Sequence, residues 1–142
     1  MSVRMTMPDG AAGGPWQRVR TRAVVLVALV LARLSPRRLR SVLRRAAAGA
    51  RPAGYTEAES HYHAVAAASP HCAGWQGCLP RSIAVCLLCR TEGTWPAWCT
   101  GVRVTLPFTA HAWLEADGRI VAEPGTPGAY RALMRVEAGL GG

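Results

Sequence analysis

Cys78 is the residue in this sequence best placed to act as a nucleophile. It follows Gly74, Trp75, Gln76 and Gly77 and precedes Leu79-Pro80, so it should stand where a loop becomes a helix. Free N–H groups and the positive end of the helix dipole lower a thiol's pKa at such a junction, and the thiolate is the reactive form. The same N–H groups can later stabilise an oxyanion. Cys86 and Cys89 lie inside the apolar run that follows and receive no such help.

A nucleophilic thiol needs a base, and the base needs a group to orient it. His111, in PFTAHAWLE, is the only histidine in the second half of the chain, and Asp117 and Glu123 are the acids that could orient it. Asp117-Gly118 is a turn signal. A three-residue loop, Ala116-Asp117-Gly118 with Gly in a left-handed bulge position, sets Glu115 opposite Arg119 and His111 opposite Glu123. Directly opposed side chains share a face, with Cβ atoms about 5 Å apart. Asp117 would then sit at the tip, on the order of 15–20 Å from His111. A two-residue loop would shift the pairing by one and turn Glu123 to the other face. Trp113 and Glu115 share the His111 face, and Trp113 suits either a wall of the site or core packing.

The elements that position these residues follow from composition and period. Residues 1–15 are rich in Gly, Met and Pro and read as a disordered leader. Residues 16–69 read as a helical, Arg-rich region, and residues 70–142 as the chemical core. The run AVVLVALVLA, residues 23–32, suits a buried helix, being about 15 Å long where a membrane span needs about 30 Å. Ser35-Pro36 caps a second helix that ends at Gly49, with Leu39, Val42 and Leu43 on one face and arginines on the rest. After the linker Arg51-Pro52-Ala53-Gly54, Thr56 can cap a third helix running to about Ala68. A fourth helix begins near Cys78, is apolar all round and should be central. Beyond the turn at residues 93–96 the period becomes two: Val102, Val104 and Leu106 alternate with polar residues, then residues 108–115 and the return strand 119–123 follow. Helices first and an antiparallel hairpin after them make an α+β domain.

Composition limits the functions. The chain has 142 residues and a net charge of +9, with 17 basic residues that are all Arg. Five cysteines without a secretory signal point to reduced thiols in a cytoplasm. Cys86-x-x-Cys89 lacks a second CxxC or HxxxH partner and, with Cys72 and Cys99, reads as core thiols; no metal and no cofactor are expected. His61-Tyr62-His63 falls on a helix, where positions i and i+2 point apart, and reads as surface. Aromatics are absent between Arg18 and Arg51, against a single-strand nucleic-acid site. Docking on an anionic membrane surface is compatible with a basic amphipathic helix; integral insertion is not.

The segments GCLPRSIAVCLLCRTEG and GVRVTLPFTAHAWLEADGRIVAEPG resemble the lasso-peptide biosynthesis leader peptidase, a microcin-processing, transglutaminase-like cysteine protease. The resemblance runs from about Trp16 to Arg135 and is densest between Cys78 and Glu123. It implies a transglutaminase-like, papain-like cysteine protease domain behind an N-terminal helical region. The family's Cys falls on Cys78, its His on His111, and its third residue, usually Asp, on Glu123. It implies an endopeptidase that removes the leader from a lasso precursor peptide through a Cys78 acyl-enzyme. The implied partners are a separate leader-recognition protein and an ATP-dependent macrocyclase. The other readings are an amine-acceptor transglutaminase and a non-catalytic basic adaptor that docks the maturation complex on a membrane. Selective reaction of Cys78 with an alkylator would separate enzyme from adaptor.

Overall fold

The computed structural model describes residues 14–74, 77–104, 109–123 and 127–139. Its elements are α1 (Pro15–Leu31), α2 (Pro36–Ala47), β1 (Arg51–Pro52), α3 (Tyr55–Ala68), α4 (Pro70–Ala73), α5 (Cys78–Thr91), β2 (Thr94–Trp95), β3 (Ala97–Arg103), β4 (Ala110–Ala116), β5 (Arg119–Ile120) and β6 (Tyr130–Val136). β5, β4, β3 and β6 form, in that order, a four-stranded antiparallel sheet, and β1 pairs with β2 in parallel. The α+β architecture expected from the sequence is the one observed. Of the expected leader, residues 1–13 lie outside the described residues, and Pro15 already stands at the start of α1. Leu106 and Phe108, expected in strands, also lie outside them.

The middle of the molecule is α5. Its all-round apolar run leaves no face for water, so other elements must cover it: α1, α3, α2 and the sheet all pack on it. Ile83, Ala84, Val85, Cys86, Leu88 and Cys89 are fully buried. Burial of each larger aliphatic side chain stabilises the fold by about 1.5–3 kcal/mol. The helices before residue 70 share this core through Val25, Ala28, Leu39, Leu43, Ala58 and Val65. Arg90, at the end of α5, donates Nε–H to the Ala46 carbonyl at 2.7 Å and so satisfies the last turn of α2.

Only one face of α1 is covered. Val25 and Ala28 are buried, while Trp16, Val19, Leu26 and Val30 are more than half exposed. Among the described residues no helix is long and apolar enough to cross a membrane. Ser35 caps α2 as expected, accepting from the Arg38 N–H. Leu39 and Leu43 are buried, but Val42 turns outward.

Several local readings of the sequence need correction. First, α3 starts at Tyr55, one residue before the expected Thr56 cap, and its first N–H is satisfied by a distant residue: Tyr55 N–H donates to Oδ2 of Asp117 at 2.8 Å. Second, the Asp117-Gly118 turn is a two-residue loop. Glu115 pairs with Ile120 and Ala116 with Arg119. Both loop residues take positive φ, 54° and 72°, the geometry that matches strand twist and that Asp and Gly tolerate best. Third, the return strand stops at Ile120, and the sheet gains a far-edge strand, β6, that the sequence did not announce. Most of β6 is exposed, Leu133 included, so no buried face shows as alternation. Arg51 and Pro52, read as linker, pair with Thr94 and Trp95.

Asp117 therefore belongs to the scaffold: it caps a helix that is distant in sequence. Asp117→Ala should cost about 1–2 kcal/mol in urea unfolding, from a lost cap and a left-handed Ala, whereas Asp117→Asn should cost much less. Equal midpoints for the two variants would contradict the capping role.

Candidate active site

Cys78 is the first residue of α5, with Gly77 as the N-cap. The junction is tight: a Cβ on residue 77 would overlap the His71 carbonyl oxygen, so only glycine lets the loop approach α4 and deliver Cys78. His111 stands on β4, paired with Gly101 of β3. Because β5 ends at Ile120, the neighbouring edge of β4 is free near Ala112. The N-terminus of α5 takes that place, and the Ala112 N–H donates to the Cys78 sulfur. The His111 ring bonds the same sulfur.

Glu123 completes the line. His111 donates Nε2–H to Oε1 of Glu123 at 2.7 Å, which leaves Nδ1 for the sulfur. The contact arises by a route the sequence did not disclose. In the two-residue register a continued strand would set Glu123 opposite Ala112, facing away from His111. Instead the ladder ends with Val121 N–H on the Leu114 carbonyl, and Ala122 adopts φ 59°. This left-handed step costs a non-glycine residue about 1–2 kcal/mol. The buried Val121 side chain and an Ala122 N–H bond to Tyr55 Oη, 3.1 Å long, hold it in place. The step swings Glu123 back to His111.

Two further residues act on Glu123: Arg81, to which the sequence reading assigned no role, and Tyr62, expected on the surface. Arg81, almost fully buried, donates Nη2–H to Oε2 of Glu123 at 3.3 Å and Nη1–H to the Cys72 carbonyl at 2.8 Å and the Gly74 carbonyl at 3.1 Å. One guanidinium thus ties the carboxylate to the loop that leads into Cys78. Tyr62 donates its hydroxyl to the same Oε2 at 3.4 Å, and its ring lies under the Arg81 guanidinium, 5.1 Å to the centroid. The signal for Arg81 was present: it is the only charged residue of α5 before Arg90, and a buried cation requires a partner. Tyr62 carried none. The expectation that His61-Tyr62-His63 is surface holds for His63 alone; Tyr62 is half-buried, and His61 is paired with Glu92 at 2.9 Å.

The aromatic side chains form a stack across the sheet face. His111, Trp113 and Tyr130 all contact one another, with centroid distances of 5.1 Å for His111–Tyr130, 4.9 Å for Trp113–Tyr130 and 6.1 Å for His111–Trp113. Trp113 is buried and donates Nε1–H to Glu115. Trp113 is buried as core packing requires, and its ring also stacks with His111 at 6.1 Å, so the structure is compatible with both readings offered for it; Tyr130 is a second aromatic against His111.

The electrostatics follow from these contacts. Burial by itself would push the Cys78 thiol up. Hydrogen bonds from His111 and the Ala112 N–H, with the charges of His111 and Arg81, outweigh burial and hold the thiol below its ordinary value. The bonds to Cys78 and then to Glu123 raise His111 to about 9, against desolvation. Both shifts favour the thiolate–imidazolium form of the pair, the form that can attack a carbonyl with a proton ready for a leaving group. Cys86, Cys89 and Cys99 differ: burial pushes Cys89 and Cys99 up to about 12 and Cys86 well above the thiol range.

Residues 22–135 match the transglutaminase-like superfamily, a span that takes in the whole of this site, and the chain belongs to that superfamily. No curated protein and no solved structure matches it. The superfamily couples this architecture to cysteine-protease or transglutaminase-type chemistry at a thiol.

A raised imidazolium pKa sets a pH limit. His111 keeps its proton below about 9 and loses it above, so acyl transfer through Cys78 should show an alkaline limb in kcat/KM near pH 9. Glu123→Gln removes the anion that favours the charged ring, so the limb should move to lower pH. A limb that stays in place would show that Glu123 does not act on His111.

Proposed function

We propose that this protein is a cysteine endopeptidase that removes the leader from a lasso precursor peptide. The observation that carries the reading is the line Cys78–His111–Glu123, within a chain whose segments GCLPRS and HAWLEADGR resemble the leader peptidases. Cys78 attacks the carbonyl of the last leader residue. His111 gives its proton to the departing core amine, and the leader remains on the sulfur as a thioester. His111, now neutral, takes a proton from water, which hydrolyses the thioester and restores the thiolate–imidazolium pair. Glu123 orients the ring and stabilises its charged form. The freed core N-terminus becomes the substrate of a separate ATP-dependent macrocyclase. An amine-acceptor transglutaminase would use the same first half-reaction with a second amine in place of water.

The exposed face of α1 supports a protein partner. Trp16, Val19, Ala23, Leu26 and Val30 recur at spacings of three and four and all face outward. This is the seam a second helix packs into. Arg18, Arg22 and Arg33 surround it without an acidic residue on α1, which favours an acidic partner helix over a second copy of this chain. A separate leader-recognition protein that delivers the precursor fits this surface, and the site of action is the cytoplasm.

Mass spectrometry of a precursor incubated with the chain and its recognition partner tests the assignment. Wild type should yield leader and core, and Cys78→Ala should yield neither while remaining folded. Glu123→Gln should slow single-turnover cleavage roughly tenfold or more, Glu123→Asp should keep partial activity, and Asp117→Asn should stay near wild type. Full activity in Cys78→Ala would overturn the protease reading, and a dead Asp117→Asn beside a normal Glu123→Gln would pass the orienting role to Asp117.

A further inference from the structure

At the end of α5 remote from Cys78, a second constellation joins α5 to α3. Glu57 and His61 stand four residues apart on α3, and Cys89 and Glu92 three residues apart at the end of α5. Each pair falls on one helical face. Ligand atoms of Glu57, His61 and Cys89 all lie within 4.8 Å of one another. Glu92 Oε1 is 2.9 Å from His61 Nε2, and its carboxylate also meets that of Glu57. We infer that Glu57, His61, Cys89 and Glu92 form a binding site for a zinc-class divalent cation that cross-links α3 to α5.

The donor set supports this. One imidazole nitrogen, one sulfur and two carboxylates are the ligands that zinc accepts in four-coordinate sites. A thiolate disfavours calcium and magnesium, which take oxygen ligands. Zinc–sulfur and zinc–nitrogen bonds of about 2.3 and 2.0 Å put adjacent donors about 3.5 Å apart, so the group needs to contract by roughly 1 Å, within the reach of side-chain rotation. The surroundings orient the ligands: the Thr94 hydroxyl bonds Glu57 Oε2 at 2.7 Å and the Cys89 carbonyl at 3.2 Å. The charges also favour a cation, because two carboxylates face each other and a thiol across the helix interface, with Arg20 reaching only Glu92, at 3.7 Å. On binding, the Cys89 S–H proton passes to solvent, and His61 exchanges its bond to Glu92 for one to the metal. Sequence could not show the site, because Cys89 takes its partners from α3 and not from Cys86.

The site is structural. Cys89 is eleven residues beyond Cys78, about 16 Å along the helix. Its effect on the chemistry is indirect, through α3, whose Tyr62 follows His61 and reaches Glu123.

Titration of the chelator-treated, dialysed chain with cobalt(II) tests the proposal without reference to peptidase activity. A thiolate-to-cobalt charge-transfer band should saturate at one equivalent and be displaced by zinc, and zinc should raise Tm. The band should persist in Cys78→Ala and Cys86→Ser, disappear in Cys89→Ser and require at least tenfold more cobalt in His61→Ala. A wild-type chain with no such band overturns the proposal. So does a band that survives Cys89→Ser but is lost in Cys78→Ala, which would place the metal on the reactive thiol. Because the wild-type spectrum alone can refute it, misfolding of one variant leaves the test intact.

Discussion

The carboxylate of Glu123 is the constraint on which the site depends. A charge with so little exposure is costly to bury unless each oxygen is paired. Oε1 faces the His111 imidazolium, and Oε2 faces the Arg81 guanidinium and the Tyr62 hydroxyl. These partners come from β4, α5 and α3, so one anion fixes the relative positions of three elements. Arg81 extends the constraint to the backbone before Cys78 through the Cys72 and Gly74 carbonyls. Cys78, His111 and Glu123 are thus held by one network in which each charged group is another's counter-ion.

The sheet contributes by stopping short. A longer β5 would occupy the edge of β4 and consume the Ala112 N–H. Its end at Ile120 leaves that donor for the sulfur and admits the helix terminus beside His111. The left-handed residue Ala122 then redirects the chain so that Glu123 returns to the imidazole. A strained residue at this point is understandable: the cost is about 1–2 kcal/mol, small beside the burial of Val121 and the buried ion pairs that the step makes possible. Tyr55 links this segment to the start of α3, since its backbone N–H bonds Asp117 and its hydroxyl accepts from Ala122.

The sequence disclosed much of this molecule, for identifiable reasons. The all-round apolar run of α5, the Ser35-Pro36 cap and Gly77-Cys78 at a helix start are local signals, and local signals survive folding. His111 and Glu123 were paired by a three-residue-turn argument. The two do meet, yet the turn has two residues, and a backbone kink at Ala122 makes the contact that the register would forbid. Nothing in the residue Ala announces a positive φ, so that route was not legible. Arg81 was legible in principle as a lone cation in an apolar helix. Tyr62 and the partners of Cys89 were not, because they depend on which face α3 turns to α5. β6 escaped because an exposed edge strand has no buried face to set its period.

The ionisation state of Cys78 at neutral pH is the most direct check on this arrangement. The thiolate absorbs in the ultraviolet where the thiol does not, and the difference between wild type and Cys78→Ala, followed against pH, isolates this sulfur from the other four. The network described here predicts a thiolate step below the ordinary thiol value of about 8.5. A step at or above that ordinary value would mean that His111, Ala112 and Arg81 do not overcome burial, and Cys78 would then be no more than a half-buried thiol at the start of a helix.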